Sequence, residues 1–255
     1  MDFETLLLRP PALHADQQGR LVSRRAGDRL LRYLNGVLSE GQVTLETGAG
    51  VSTLVFAMKR CWHTTVVPDQ AQVDRILQWC DENGVPADRL TFHVLPSERV
   101  LPQLDPSPLD LVLIDGSHSF PITLLDWFYA GRRLCTGGIL VVDDTNIWTS
   151  RVLYDVLAKE PEWQIDHVAL LQFFAARRVS CRPLGDWLDQ PYVLHHSVDL
   201  VSTSIARRAT GAVLKGVHLA RGAPASAHWR DWNELRRRVV QLRRRPPGTG
   251  SAAES

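Results

Sequence analysis

The sequence predicts an α/β fold: a doubly wound, mainly parallel seven-stranded sheet with helices on both faces, followed by a helical C-terminal extension. Three observations predict it. Strongly apolar runs such as LDLVLI and GGILVV alternate with amphipathic stretches. That rhythm belongs to strands buried on both faces and joined by helices of about 10–15 residues. A glycine-rich turn, LETGAGVST at residues 45–53, closes the first strand. Two later apolar strands end in acids, at Asp115 and at the pair Asp143–Asp144.

The elements follow in order. Residues 1–22, with Pro10 and Pro11 and no clear period, form an N-terminal arm. Ser23 can cap a helix over RRAGDRLLRYLNGVLS, where Leu30, Leu31, Leu34, Val37 and Leu38 share a face and Gly41 follows as a stop. QVTLE is the first strand, STLVFAMKR a helix, TTVVP the second strand, and QAQVDRILQWCDENG an amphipathic helix. RLTFHVL, LDLVLID and GGILVVDD are strands, separated by helices over SERVLPQL and PITLLDWFYAGRRL. A helix over RVLYDVLAKE precedes WQIDHVA and LLQFFAARR, which pair as the last two strands. Residues 23–180 form the main domain. Residues 181–245 form the helical extension, and residues 246–255, PPGTGSAAES, form a tail of disorder-prone composition.

Composition narrows the partners. A formal charge of +1 gives no general pull toward nucleic acid or membrane. No apolar stretch approaches the roughly 18 residues of a membrane span. Cys61, Cys80, Cys135 and Cys181 form no CxxC pair and follow no signal peptide, so reduced thiols in a cytoplasmic protein are expected. The exception to the even charge is Arg221–Arg245, with eight arginines against Asp231 and Glu234 among apolar Trp229, Trp232, Leu235, Val239 and Leu242. Such a helix could meet anionic lipid or nucleic acid; the preferred reading is an arm packed on its own domain or on a second copy of the chain.

In an open parallel sheet, ligands bind beyond the carboxyl ends of the strands, which is where LETGAGVST falls. Gly48 and Gly50 let a ligand approach the backbone, and the helix starting near Ser52 turns free N–H groups toward it. A dinucleotide fingerprint needs a third glycine where Thr53 stands, and there is no Walker lysine. Glu46, two residues before the first glycine, would repel a pyrophosphate, so a cationic or zwitterionic nucleoside-bearing ligand fits better.

ETGAGVST together with DLVLIDGSHSF and the strand ending VVDDT resembles the class I S-adenosylmethionine-dependent methyltransferases, in particular the subgroup with an I-D-G-x-H strand end and a later Asp pair, which includes sugar and small-molecule O-methyltransferases. The resemblance spans roughly residues 28–178 and implies a Rossmann-like fold. It implies Glu46 near the methionine amine, Gly48 and Gly50 as the backbone turn, Ser52 reaching the carboxylate, and Asp115 at the cofactor. The acid that should hold the ribose at the end of the second strand is replaced by Val67. Asp69, two residues on, either reaches the ribose or caps the next helix, and Ser97 either meets the adenine end or is an N-cap.

In related metal-dependent enzymes, acids at these strand ends hold Mg²⁺, which makes Asp115, Asp143 and Asp144 candidate ligands. Capping and solvation are the alternatives for the pair. His118 is a candidate general base with Asp115 at its side, or a structural histidine. Trp148 either walls an acceptor site or fills the core. The reading is an S-adenosylmethionine-dependent methyltransferase acting on a small-molecule or glycan hydroxyl. Its rivals are a non-catalytic cofactor-fold scaffold and an NAD-linked dehydrogenase.

Overall fold

The carboxyl ends of five parallel strands meet at one edge of the molecule, and the chain order decides which turns share it. A computed structural model describes residues 1–200 except 17, 24, 25, 106 and 184; the arginine-rich stretch and the tail lie outside the described residues. The elements are α1 (Phe3–Leu8), β1 (His14–Ala15), β2 (Leu21–Val22), α2 (Asp28–Val37), β3 (Val43–Thr47), α3 (Val51–Met58), β4 (Trp62–Val66) and α4 (Gln70–Glu82). They continue with β5 (Leu90–His93), α5 (Ser97–Val100), β6 (Leu109–Ile114), α6 (Ile122–Tyr129), β7 (Leu134–Val142), α7 (Trp148–Leu157), β8 (Trp163–Ala169) and β9 (Phe173–Arg178).

The main sheet has seven strands in the order β5-β4-β3-β6-β7-β9-β8, with β9 antiparallel to both neighbours and the other pairings parallel. From β3 the chain winds outward through β4 and β5, then returns to the other side of β3 for β6 and β7. The strand order therefore reverses between β3 and β6, the switch point at which such sheets bind ligands. This is the predicted doubly wound fold.

Two apolar layers cover the sheet. One packs α2, α3 and α4 on it through residues such as Leu31, Leu54, Phe56 and Ile76; the other packs α7 and the α5 region through Leu101, Leu153, Leu157 and Phe174. Strand β3 serves both. Leu45 enters the second layer while Thr44 and Glu46, one residue to either side, are buried away from it.

The structure departs from the sequence reading in two places. Helix α2 begins at Asp28 with Gly27 as its N-cap, not at Ser23, because the apolar face that packs starts only at Leu30. The N-terminal arm is not irregular: Asp2 caps α1 by accepting from the Thr5 N–H, and Leu6, Leu7 and Leu13 are buried in the first layer. A small antiparallel ribbon, β1 with β2, follows it.

The described chain divides after Gly185. Beyond that point a short 3₁₀ turn at Trp187–Asp189 is capped by Asp186, and residues 191–200 are helical. The rest of the expected helical extension, from residue 201 to residue 245, lies outside the described residues.

Candidate cofactor and active site

The glycine turn is built from below by Glu46, whose side chain is fully buried. Ser52 Oγ donates to Glu46 Oε2 at 2.9 Å, Thr65 Oγ1 to Oε1 at 3.2 Å, and Thr53 Oγ1 makes a further short bond to Oε1. Thr53 Oγ1 also accepts the Gly50 N–H at 3.0 Å, so the hydroxyl ties turn to carboxylate. His63 Nε2 stands 3.3 Å from the same carboxylate, its ring stacked on Phe56 at 3.9 Å. Buried charge is tolerated only when satisfied in this way. The side chains of Glu46 and Ser52, expected at the methionine amine and at the carboxylate, are thus engaged with each other beneath the turn. Glu46 is turned toward α3 and bonds Ser52 there, and neither is among the residues that line the cavity beside the turn.

That cavity, of about 280 Å³, is lined by Gly48 and Ala49 of the turn, Val66, Val67 and Pro68 after β4, Ser97 and Glu98 after β5, and Asp115 to Ser117 after β6. Gly48 has φ +91°, and a Cβ there would lie 2.2 Å from the Asp115 carbonyl oxygen. Only glycine permits this crossing of the β3 and β6 turns. Of the expected cofactor residues, Gly48, Ser97 and Asp115 line the cavity. Gly50 lies just behind Ala49. Asp69 is the N-cap of α4, accepting from the Gln72 N–H at 3.2 Å, and is not a lining residue. Ser97 is not a cap; Pro96 holds that position without a side-chain bond.

Two of the lining residues come from outside the strand-end turns. His14, from β1 in the arm, has Nε2 3.1 Å from the Ala49 carbonyl oxygen, and Gln72 Nε2 donates to the same oxygen at 2.6 Å. Neither carries a motif: one is a lone histidine in a two-residue strand, the other an amide on an amphipathic helix.

Next to the cavity, His118 stands among the three acids. Its Nε2 is 3.7 Å from Asp115 Oδ1 and 3.4 Å from Asp144 Oδ2, and its Nδ1 is 3.3 Å from Ser150 Oγ. The Thr149 hydroxyl donates to the His118 carbonyl, pinning the loop to α7. Burial works to lower the His118 pKa, but Asp115, Asp144 and Asp143 outweigh it and the net shift is upward. Burial likewise pushes Asp115 up, against the bond to His118, and raises Asp143 to about 7 with help from the Asp115 charge.

Nothing in this geometry adds support to the magnesium expectation. Among the described residues no three His, Cys, Asp or Glu side chains are grouped to hold a metal ion. Asp143 is buried and held toward its neutral form, Asp144 sits at φ +51°, and the His118 imidazole is the cationic partner that faces both Asp115 and Asp144. Trp148 is 67 % exposed, so it does not fill the core; with Phe120, ring centroids 6.2 Å apart, it offers an aromatic surface near His118.

Comparison with known proteins agrees with this layout. Residues 45–145, from β3 to the turn after the Asp pair, match a family model described as a methyltransferase domain. No curated protein gives a significant match. Among solved structures, the chain resembles the O-methyltransferase TomG from Streptomyces achromogenes, involved in tomaymycin synthesis and solved in complex with SAM, at 19 % identity and a TM-score of 0.58, over 71 % of this chain and 92 % of that one. It also resembles cofactor-bound Rv0187 from MTB at 21 % identity and a TM-score of 0.56, covering 69 % of this chain and 90 % of the other. The third is an O-methyltransferase from Bacillus cereus in complex with SAH, at 16 % identity and 0.50, over 62 % and 84 %. At these identities the structural likeness speaks for the fold, and the family match speaks for the glycine turn and the acidic strand ends that the fold brings to one edge. Residues 45–145 thus match a methyltransferase domain, set in a sheet with the fold of these solved structures.

Proposed function

We propose that this domain binds S-adenosylmethionine in the cavity beside the glycine turn and methylates a hydroxyl oxygen of a small molecule or glycan, with His118 receiving the hydroxyl proton. One observation carries the reading: Asp115 belongs both to the cavity wall and to the carboxylate cluster around His118. A donor in the cavity and a base beside it are thus set against the same side chain.

The residues present suit such a cofactor. Gly48 leaves no Cβ to fill the crossing, and Asp115 and Glu98 give the wall a negative character that favours a cationic ligand. When bound, the cofactor supplies an electrophilic methyl group on sulfur. The chain supplies alignment, shelter from water and a proton acceptor. Nδ1 is taken up by Ser150 Oγ on α7, leaving Nε2, which stands beside Asp115 on the cavity side, to accept the proton. The same carboxylates stabilise the imidazolium that forms. The exposed Phe120 and Trp148 rings suit an acceptor with an apolar body beside its hydroxyl.

The test is calorimetric titration of the full chain with S-adenosylhomocysteine and with NAD, followed by methyl transfer from S-adenosylmethionine to a panel of phenolic and sugar hydroxyls, with and without EDTA. Micromolar binding of S-adenosylhomocysteine, none of NAD, and transfer unaffected by EDTA are expected. Binding of NAD instead would make this the wrong cofactor; cofactor binding with no transfer to any acceptor would favour the scaffold.

A further inference from the structure

Resting on that cofactor reading, we infer that Gln72, with His14 beside it, forms the subsite for the ribose hydroxyls, in place of the acid that β4 lacks. In sheets wound this way the ribose is held by an acidic side chain about 20 residues past the glycine turn, at the end of the neighbouring strand. Here that end is Val66, Val67 and Pro68, which line the cavity without one hydrogen-bonding side chain among them. Asp69, the next acid, is engaged elsewhere: it caps α4 and lies 3.5 Å from Arg75 Nη2.

The polar side chains of the wall fall into two groups. Thr47, Ser97, Glu98, Asp115 and Ser117 come from the turns after β3, β5 and β6; Gln72 and His14 come from α4 and the arm. Gln72 is buried, and its Nε2 bond to the Ala49 carbonyl fixes which way the amide faces. The carbonyl oxygen Oε1 is left with no partner among the described residues, ready to accept from a ligand hydroxyl. His14 anchors on the same Ala49 carbonyl, so both side chains are fixed to the glycine turn.

The arm is held to make this possible. Arg75 Nε, one turn along α4 from Gln72, donates to the Leu13 carbonyl at 2.8 Å, and Leu13 is buried. A Cβ at Gly50 would lie 3.1 Å from His14 Cε1, so the absence of a side chain lets the imidazole settle on the turn. A neutral carboxamide then does what a carboxylate does elsewhere, and a segment outside the matched residues 45–145 completes the cofactor wall.

The experiment titrates S-adenosylhomocysteine and its 2′-deoxyribose analogue into the full chain, as wild type and as Gln72→Leu, His14→Ala and Asp69→Asn. Wild type is expected to prefer the hydroxylated ligand by about tenfold, the size of one hydrogen bond. Gln72→Leu should bring the two dissociation constants together, His14→Ala should narrow the gap, and Asp69→Asn, which keeps a capping oxygen, should leave the ratio unchanged. A ratio that persists in both Gln72→Leu and His14→Ala, or that collapses in Asp69→Asn, overturns the subsite. Wild type that binds neither ligand would defeat the cofactor reading itself, a result distinct from a persistent ratio.

Discussion

Asp126 is a carboxylic acid in the wrong surroundings for a charge. It lies on α6, fully buried, with neither oxygen in a well-formed hydrogen bond among the described residues. Burial pushes its pKa to about 6, although the Ser97 and Thr47 hydroxyls nearby favour the charged form. The folded value stands above the ordinary 3.8, so the folded state is favoured while the group is neutral, and that benefit is lost as pH rises from about 4 through about 6. Asp126→Asn should therefore stabilise the protein at pH 8, by up to about 3 kcal/mol, and change little near pH 4. Urea unfolding at the two pH values measures it. At His118 the sign concerns rate. Its raised pKa places the rising limb of kcat/KM above the ordinary histidine value, and removing the Asp144 charge in Asp144→Asn should move that limb to lower pH. His118→Gln should cost about 10² to 10⁴ in kcat. Asp115, Asp143 and Asp144 were legible in sequence, because they terminate apolar runs; Asp126, inside the helical PITLLDWFYAGRRL, was not. The role of Glu46 was not: β3 is buried on both faces, so alternation gave no sign of which layer it faces.

Helix α4 joins three parts of the site. Its N-cap Asp69, its first-turn Gln72 and its Arg75 hold, in order, its own start, the glycine turn and the N-terminal arm. Asp69→Ala should cost about 1 kcal/mol, as the loss of an N-cap does, and should loosen the arm, read as faster amide exchange over residues 13–22. The β3 turn is less forgiving. Gly48→Ala puts a methyl group against the Asp115 backbone and a positive φ on a residue that resists it, so cofactor binding should be lost and the melting temperature lowered. Most elements were readable to within a few residues, and β8 at Trp163–Ala169 matches its expected span. The arm was not, because six-residue and two-residue elements are too short to show a period. Their order comes from Leu6, Leu7 and Leu13 meeting a core built by residues far along the chain.

For the whole molecule, three shifts point the same way. Asp126 and Asp143 are raised to about 6 and about 7, and His118 is raised as well. Each raised group favours the folded state at the lower end of its range and ceases to as pH climbs through its folded value. The melting temperature should fall between pH 5 and pH 8, and the double variant Asp126→Asn with Asp143→Asn should flatten the slope; calorimetric scans across that range would show it. The fold class was legible because five buried parallel strands need apolar runs, and helices between them need amphipathic ones. Its closing features were less so, since the contacts that finish the cavity join residues remote in sequence.

The bond from Arg75 to Leu13 spans 62 residues. During synthesis the arm leaves the ribosome that many residues before the helix that seats it, roughly 3 to 12 s at ordinary elongation speeds. Through that interval three leucines destined for the interior have no interior to enter. The cavity wall is thus finished by an earlier-made segment docking backward onto a later one, and a synonymous change that slowed translation between residues 15 and 75 would lengthen the arm's exposure to chaperones and proteases without altering an atom of the folded protein.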